Sequence, residues 1–273
     1  MKPLAPVTRQ MSSRTDWGTT AEIAAVNVEG TRNVLEAARI AGVKRVIHVS
    51  STDVYGYPGL PEIDETYVAT RFANWYAQTK LEAEAEVRRA QVADALETVI
   101  LRPATVYGPR SVDVVGEIAR SIRSRRMILI DGGGAVAGLL YVENLVDAAV
   151  LAMRSDAAPG QAFNLSDGLS VTWREFTDGL ASGLGCPPVR LTMPYRLAAG
   201  IGFSLEHGYR LARRTTHLRT APLLSRQAVH VLGRDQTFST RKAREMLGWE
   251  PRIGYDAGLA ATLAWLRSEQ EAS

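Results

Sequence analysis

Arg45-Val46-Ile47-His48-Val49-Ser50, running on into Ser51-Thr52-Asp53-Val54-Tyr55-Gly56, decides how this chain of 273 residues folds. The first six residues form a short apolar run rich in β-branched side chains, which predicts a buried strand. The strand empties into a cluster of hydroxyls. In open α/β sheets the ligand crevice lies off the carboxyl ends of the strands, so the cluster is either well sited for chemistry or simply a Ser-rich turn.

Upstream, Ala21 to Ile40 has helical periodicity in Ile23, Val26, Val34, Leu35 and Ala38, with Gly42 as a stop signal. Downstream, a Pro/Gly loop from Tyr57 to Glu65 leads toward a second helix, Trp75 to Gln91, rich in Ala, Glu, Lys, Leu and Arg and free of Gly and Pro. Tyr76 and Lys80 stand four apart in it and therefore share a face. They are either an ordinary exposed Tyr with a solvated Lys, or a phenol whose ionised form is favoured by a neighbouring ammonium.

A strand from Glu97 to Arg102 follows, stopping at Pro103, and Ala104 to Arg110 reads as a loop. A helix near Asp113 to Arg125, a strand Met127 to Ile130, a helix Glu143 to Met153, a strand Phe163 to Leu165 and a helix from Trp173 continue the alternation. It predicts a parallel α/β sheet. Asp131-Gly-Gly-Gly-Ala-Val-Ala-Gly138 imitates a phosphate-cradling loop, but Leu139 to Val142 intervenes before the next helix, where a dinucleotide fingerprint passes straight from loop to helix. The alternative is a flexible loop over a pocket. Helices at Arg241 to Leu247, closed by Gly248, and at Tyr255 to Glu269 end the chain.

Composition sets the outer limits. The hydrophobic fraction of 46% and charged fraction of 22% are those of an ordinary soluble globular protein. The net charge of +3 comes without a long basic run interleaved with aromatics, which argues against nucleic acid as a partner. The single Cys186 cannot form an internal disulfide and fits a reducing cytoplasm, and no Cys/His cluster has metal-ligand spacing. From about Pro194 to Arg219 an apolar stretch with Leu197, Ile201, Phe203 and Leu205 runs into Arg210, Arg213, Arg214 and Arg219. It reads either as a helix on a membrane surface or as a solvated helix flanking a substrate pocket.

Six segments in order carry a resemblance: Asn27-Val-Glu-Gly-Thr-Arg-Asn33, Val49 to Gly56, Tyr76 to Lys80, Leu101 to Pro109, Tyr141-Val-Glu-Asn144 and Lys242 to Pro251. Together they resemble the extended short-chain dehydrogenase/reductase superfamily of NAD(P)-dependent epimerases, dehydratases and dehydrogenases. Asp16-Trp-Gly18, Pro194-Tyr195, Pro222 to Ser225 and Phe238-Ser239 look most like its 3β-hydroxysteroid dehydrogenase branch. The resemblance implies a Rossmann-like catalytic part over residues 1–184 and a smaller substrate-binding and helical part over 185–273. It implies Tyr76 as catalytic acid/base and Lys80 as the cation that assists it and holds the nicotinamide ribose. Ser51 becomes the hydroxyl on the reacting oxygen, and Asn27 the support of a proton relay. Ser50, Pro103 and Val106 would line the nicotinamide of NAD or NADP.

Members of that superfamily begin with a strand and a glycine-rich pyrophosphate loop, and nothing before Asn27 matches these. The expectation is an N-terminally truncated Rossmann-like sheet whose strand at Arg45 lies on an exposed edge. The leading function is oxidation or reduction of a hydroxyl or keto group on an apolar, steroid- or sterol-like substrate. The alternatives are a nucleotide-sugar epimerase or dehydratase, and a non-catalytic relative that binds a ligand or partner. Membrane contact through about 194–219 and a homodimer complete the expectations.

Overall fold

The computed structural model describes residues 20–69, 75–93, 96–213 and 226–271. The irregular opening, Asp16 to Gly18, Arg214, Arg219 and Pro222 to Ser225 lie outside them. Parallel pairing predominates: every strand pair among the described residues is parallel. The main sheet has the order β1 (Arg45–Val49), β2 (Glu97–Pro103), β6 (Ala162–Leu165), so that β1 is its edge among the described residues. Two two-stranded pairs accompany it, β3 (Thr105–Tyr107) with β5 (Leu139–Tyr141), and β4 (Leu129–Ile130) with β7 (Thr192–Met193).

Helices cover both faces of the main sheet because adjacent strand residues point opposite ways. Val46 and Ile100 pack with Leu35 and Ala38 of α2 (Gly30–Ile40) and with Val87 and Ala90 of α3 (Trp75–Ala93). Ile47, Val99 and Leu101 pack on the other side with Ala148 and Ala152 of α5 (Val142–Arg154) and with Ala243 and Leu247 of α9 (Arg241–Leu247). Each such aliphatic side chain contributes about 1.5–3 kcal/mol through burial. Ahead of α2 come α1 (Thr20–Ala24) and a π-helical turn (Ala25–Glu29), in which the Gly30 N–H donates to the Ala25 carbonyl.

Polar residues fix the elements to one another. The buried Arg45 guanidinium donates to the carbonyls of Ala152, Met153 and Ser155 at 2.8–2.9 Å, satisfying acceptors at the end of α5 that no intrahelical N–H reaches. Asn144 donates to Asp167 and to the Ile253 carbonyl and accepts from the amides of Arg252 and Ile253, which ties α5 to the approach of α10 (Tyr255–Glu271). Thr172 and Glu175 form a reciprocal cap at the start of α6 (Trp173–Gly183). α7 (Tyr195–Arg213) and α8 (Arg226–Gly233) pack against each other beside β4.

Several boundaries differ from the sequence expectation. The segment read as a loop after Pro103 contains β3, and Pro103 itself belongs to β2, in register with Leu165. A strand can end on proline because the missing N–H falls at its last position, and the Ala104 amide resumes the ladder to Leu165 at 2.9 Å. The helix expected from Asp113 is a π turn, Val112–Gly116, running into α4 (Glu117–Arg123).

The glycine loop at 131–138 is no phosphate cradle, since β5 separates it from α5. Nor does it hang free. Arg174 Nε donates to the Gly132 carbonyl at 2.8 Å and the Asp235 carboxylate accepts from the Val136 amide at 2.9 Å. Gly138, at φ +58°, lets the Gln236 backbone approach so closely that a Cβ there would stand 2.6 Å from Gln236 Cβ.

Candidate active site

Lys80 organises the site. Its side chain is 2% exposed, its Nζ lies 5.6 Å from the Tyr76 ring centroid, and it donates to the Val49 carbonyl at 3.1 Å. The helical spacing thus brings the pair together at the carboxyl end of β1, where Ser50 and Ser51 begin. Burial pushes the Lys80 ammonium down to about 8, against the opposing pull of the Asp53 and Glu84 carboxylates. It remains cationic near neutrality.

Ser51 has extended backbone, φ −157° and ψ 153°, and caps the 3₁₀ turn Thr52–Tyr55. Its Oγ accepts from the Asp53 amide at 3.1 Å. That bond occupies the acceptor side of the hydroxyl, and its proton lies close enough to the Asp53 carboxylate to lower that carboxyl. Ser50 donates its backbone N–H to Leu101 at 2.7 Å, yet its buried hydroxyl meets no partner of good geometry among the described residues, although the Glu84 carboxylate is close enough to feel it. Pro103 is buried at the end of the neighbouring strand, and Val106 is half-buried on β3.

Asn27 was expected to support a proton relay. It is 2% exposed in the π turn, and its Nδ2 donates to Thr79 Oγ1 at 3.0 Å, while Thr79 donates to the Tyr76 carbonyl at 3.0 Å. It therefore reaches α3 through Thr79, which lies between Tyr76 and Lys80 in sequence. Leu197, Phe203 and Leu205 of α7 are 40–55% exposed and face away from the core, whereas Ala198 turns inward to Ile130 and Val229. Leu197, Ile201 and Leu205 line a shallow surface cleft with Arg196, Gly200 and Ser204.

Beneath the site lies a charge network that sequence reasoning missed. Arg102 grips Glu84 with two bonds, 2.9 and 2.6 Å, and donates to the Tyr55 hydroxyl at 2.7 Å, which in turn donates to Asn164 Oδ1 at 2.7 Å. Burial alone would raise the Glu84 carboxyl, but the Arg102 guanidinium holds it below the usual range. A buried ion pair persists only with such full satisfaction. Glu84 follows Lys80 by four residues and Tyr76 by eight, so its place on the same helix face was the available signal. His48, on the same strand face as Ser50, is pushed down to about 4 by burial and by the Lys80 charge, and its Nε2 has no partner among the described residues.

Asp53 was also missed as a site residue. It accepts from the Tyr57 phenol on one carboxylate oxygen and from Gln227 Nε2 at 2.7 Å on the other. Burial raises its carboxyl, with Tyr57 and Lys80 pulling the other way.

A parallel sheet with helices on both faces, and a Ser, a Tyr and a Lys gathered at its carboxyl edge, defines the short-chain dehydrogenase/reductase class with its NAD-dependent epimerases and dehydratases. Residues 7–194 match the model of the 3-beta hydroxysteroid dehydrogenase/isomerase family, and the chain belongs to that family. It is 31% identical over 250 residues to 3beta-hydroxysteroid-dehydrogenase/decarboxylase isoform 1 of Arabidopsis thaliana, covering 87% of this chain and 56% of that protein. It is 34% identical over 254 residues to a 4-hydroxy-2-methyl-3-oxo-4-farnesyl-3,4-dihydroquinoline-1-oxide ketoreductase of Stigmatella aurantiaca, covering 89% and 72%. Among solved structures, MoeE5 in complex with UDP-glucose and NAD is similar at a TM-score of 0.72 and 25% identity, covering 95% of this chain and 77% of that one. The chain thus spans little more than half the length of the plant relative.

Proposed function

We propose that this chain carries the catalytic part of an NAD(P)-dependent oxidoreductase acting on a hydroxyl or keto group of an apolar, steroid- or sterol-like substrate. One observation carries the reading: the buried Lys80 ammonium, anchored on the Val49 carbonyl, stands over the Tyr76 ring at the strand end where the Ser51 hydroxyl accepts from the Asp53 amide.

The residues suit a nicotinamide dinucleotide. Ser50 supplies a buried hydroxyl still wanting a partner, Lys80 a cation beside it, and Pro103 and Val106 apolar surface at the strand ends. Bound there, NAD or NADP supplies the hydride acceptor or donor. Tyr76 takes the proton from the substrate alcohol, and gives one back in the reverse direction. The Lys80 cation favours the phenolate form that this requires. Ser51 donates to the substrate oxygen as it becomes a carbonyl. Glu84, Arg102 and Tyr55 hold the elements on which these groups stand.

The apolar substrate class draws on the family match and on the farnesylated substrate in the name of the Stigmatella relative. A second reading, a nucleotide-sugar epimerase, draws on the likeness to MoeE5, whose complex holds UDP-glucose and NAD. We also propose that the exposed face of α7, with Leu197, Phe203 and Leu205 beside Arg196, contacts an anionic bilayer. No helix among the described residues is long and apolar enough to cross a membrane.

The test is turnover of 3β-hydroxysteroids and UDP-glucose with NAD or NADP, and of prenylated ketones with NADH or NADPH. Reduced nicotinamide formed with a 3β-hydroxysteroid or consumed with a prenylated ketone, and in either case lost in Tyr76→Phe, supports the oxidoreductase reading. Epimerised sugar without net nicotinamide reduction supports the second reading, and turnover retained in Tyr76→Phe refutes both.

A further inference from the structure

The turn 52–57 is held from the far side of the site as well as from its own strand. Gly56 at φ +71° and Tyr57 at φ +57° bend the chain through the left-handed region, a conformation costing a non-glycine residue about 1 kcal/mol or more. The bend returns the Tyr57 phenol to Asp53, four residues back. The Tyr57 ring stacks on His230 of α8 at 6.0 Å and 11°, and His230 Nδ1 shares a 2.7 Å hydrogen bond with the hydroxyl of Tyr195 at the start of α7. Gln227, three residues before His230 and on the same face of α8, donates to the other Asp53 oxygen. The opposite face of α8, through Val229, packs on Ile130 and Ala198. One helix face is fixed by apolar packing, and the other meets the turn through the Gln227 hydrogen bond and the His230 stack.

We propose that Asp53 is a positioning residue that couples the seating of α8 to the catalytic pair, its amide orienting the Ser51 hydroxyl and its carboxylate, fixed by Tyr57 and Gln227, acting on Lys80 through its charge. This rests on the roles proposed above for Ser51 and Lys80. Every polar handle of Asp53 that faces the site is engaged: the amide by Ser51, one oxygen by Tyr57, the other by Gln227. Among the described residues, the charged and titratable groups around Lys80 include Asp53 from the turn, Tyr76 and Glu84 from α3, and His48 from β1. Glu84 is neutralised by Arg102 and Arg88. Asp53 is then the carboxylate whose charge on Lys80 depends on where α8 sits.

The chain has lysines only at positions 2, 44, 80 and 242, so Lys80 can be followed by NMR of protein labelled at lysine Cε and identified by its loss in Lys80→Arg. No cofactor or substrate is needed. Burial should bring the parent Lys80 midpoint down to about 8. Asp53→Asn should move that midpoint down by about one unit, and Asp53→Glu should restore most of it. Gln227→Ala, which keeps the carboxylate, should quicken amide exchange at Asp53 and Gly56 by about tenfold while leaving Ile100 unchanged. A Lys80 midpoint unmoved in Asp53→Asn overturns the coupling, and so does unchanged exchange at Asp53 in Gln227→Ala. If Asp53→Asn fails to fold, the Gln227→Ala exchange decides alone. Because neither readout involves turnover, the coupling can fail while the oxidoreductase reading stands, and the reverse.

Discussion

Arg102 and Glu84 meet through two hydrogen bonds, 2.9 and 2.6 Å, with both side chains at most 5% exposed. This buried pair joins α3 to β2, and the Arg102 Nη1 donor reaches Tyr55 in the turn that follows β1.

Glu84→Gln leaves the guanidinium buried without its countercharge. Breaking such a pair costs about 3–5 kcal/mol, so urea unfolding should show a loss of that order. Glu84→Gln with Arg102→Met should lose less than Glu84→Gln alone, because no unpaired charge remains. Equal losses in the single and double variants would contradict the pairing.

His48 predicts an acid-sensitive step. Its folded value of about 4 lies below the ordinary 6.5, so on acidification the unfolded chain takes up the proton first. The contribution is fully present above about pH 6.5 and declines as pH falls toward 4, by about 3 kcal/mol in all. His48→Leu should flatten the dependence of unfolding free energy on pH over that window. An unchanged slope would count against a neutral buried imidazole.

Close approach, not phosphate binding, explains the glycine loop. Gly138→Ala meets Gln236 at 2.6 Å and should destabilise by about 1–3 kcal/mol. Gly132→Ala, also at positive φ, finds nothing within 4 Å and should cost only about 1 kcal/mol of backbone strain. Differential scanning calorimetry of the two variants compares them directly, and a larger loss for Gly132→Ala would refute the explanation.

The α7 face makes a separate prediction. Leu197→Ser with Phe203→Ser should weaken co-sedimentation with phosphatidylglycerol vesicles at least several-fold, and phosphatidylcholine vesicles should bind little of either protein. Parent protein that ignores phosphatidylglycerol vesicles would end the membrane proposal.

Much of this architecture was legible in the sequence for simple reasons. β-branched runs and helical spacing placed β1, β2 and α3, and the four-residue interval put Tyr76 and Lys80 together, because local periodicity determines which side chains share a face. What was not legible depended on long-range contact. β3 hid in a Gly/Pro-rich stretch because its partner β5 lies more than thirty residues on. Asn27 reaches Thr79 across 52 positions, and Gln227 reaches Asp53 across 174. The Arg102 and Glu84 pairing likewise joins a strand to a helix, and neither residue alone announces a buried charge.

The central claim is that Lys80 and its neighbours hold a nicotinamide cofactor beside Tyr76. Titrating the protein with NADH and NADPH while following nicotinamide fluorescence tests it most directly. The account predicts saturable enhancement with at least one of the two, nearly unchanged in Tyr76→Phe and weakened about tenfold or more in Lys80→Met. No saturable enhancement with either, or enhancement indifferent to Lys80→Met, would contradict it.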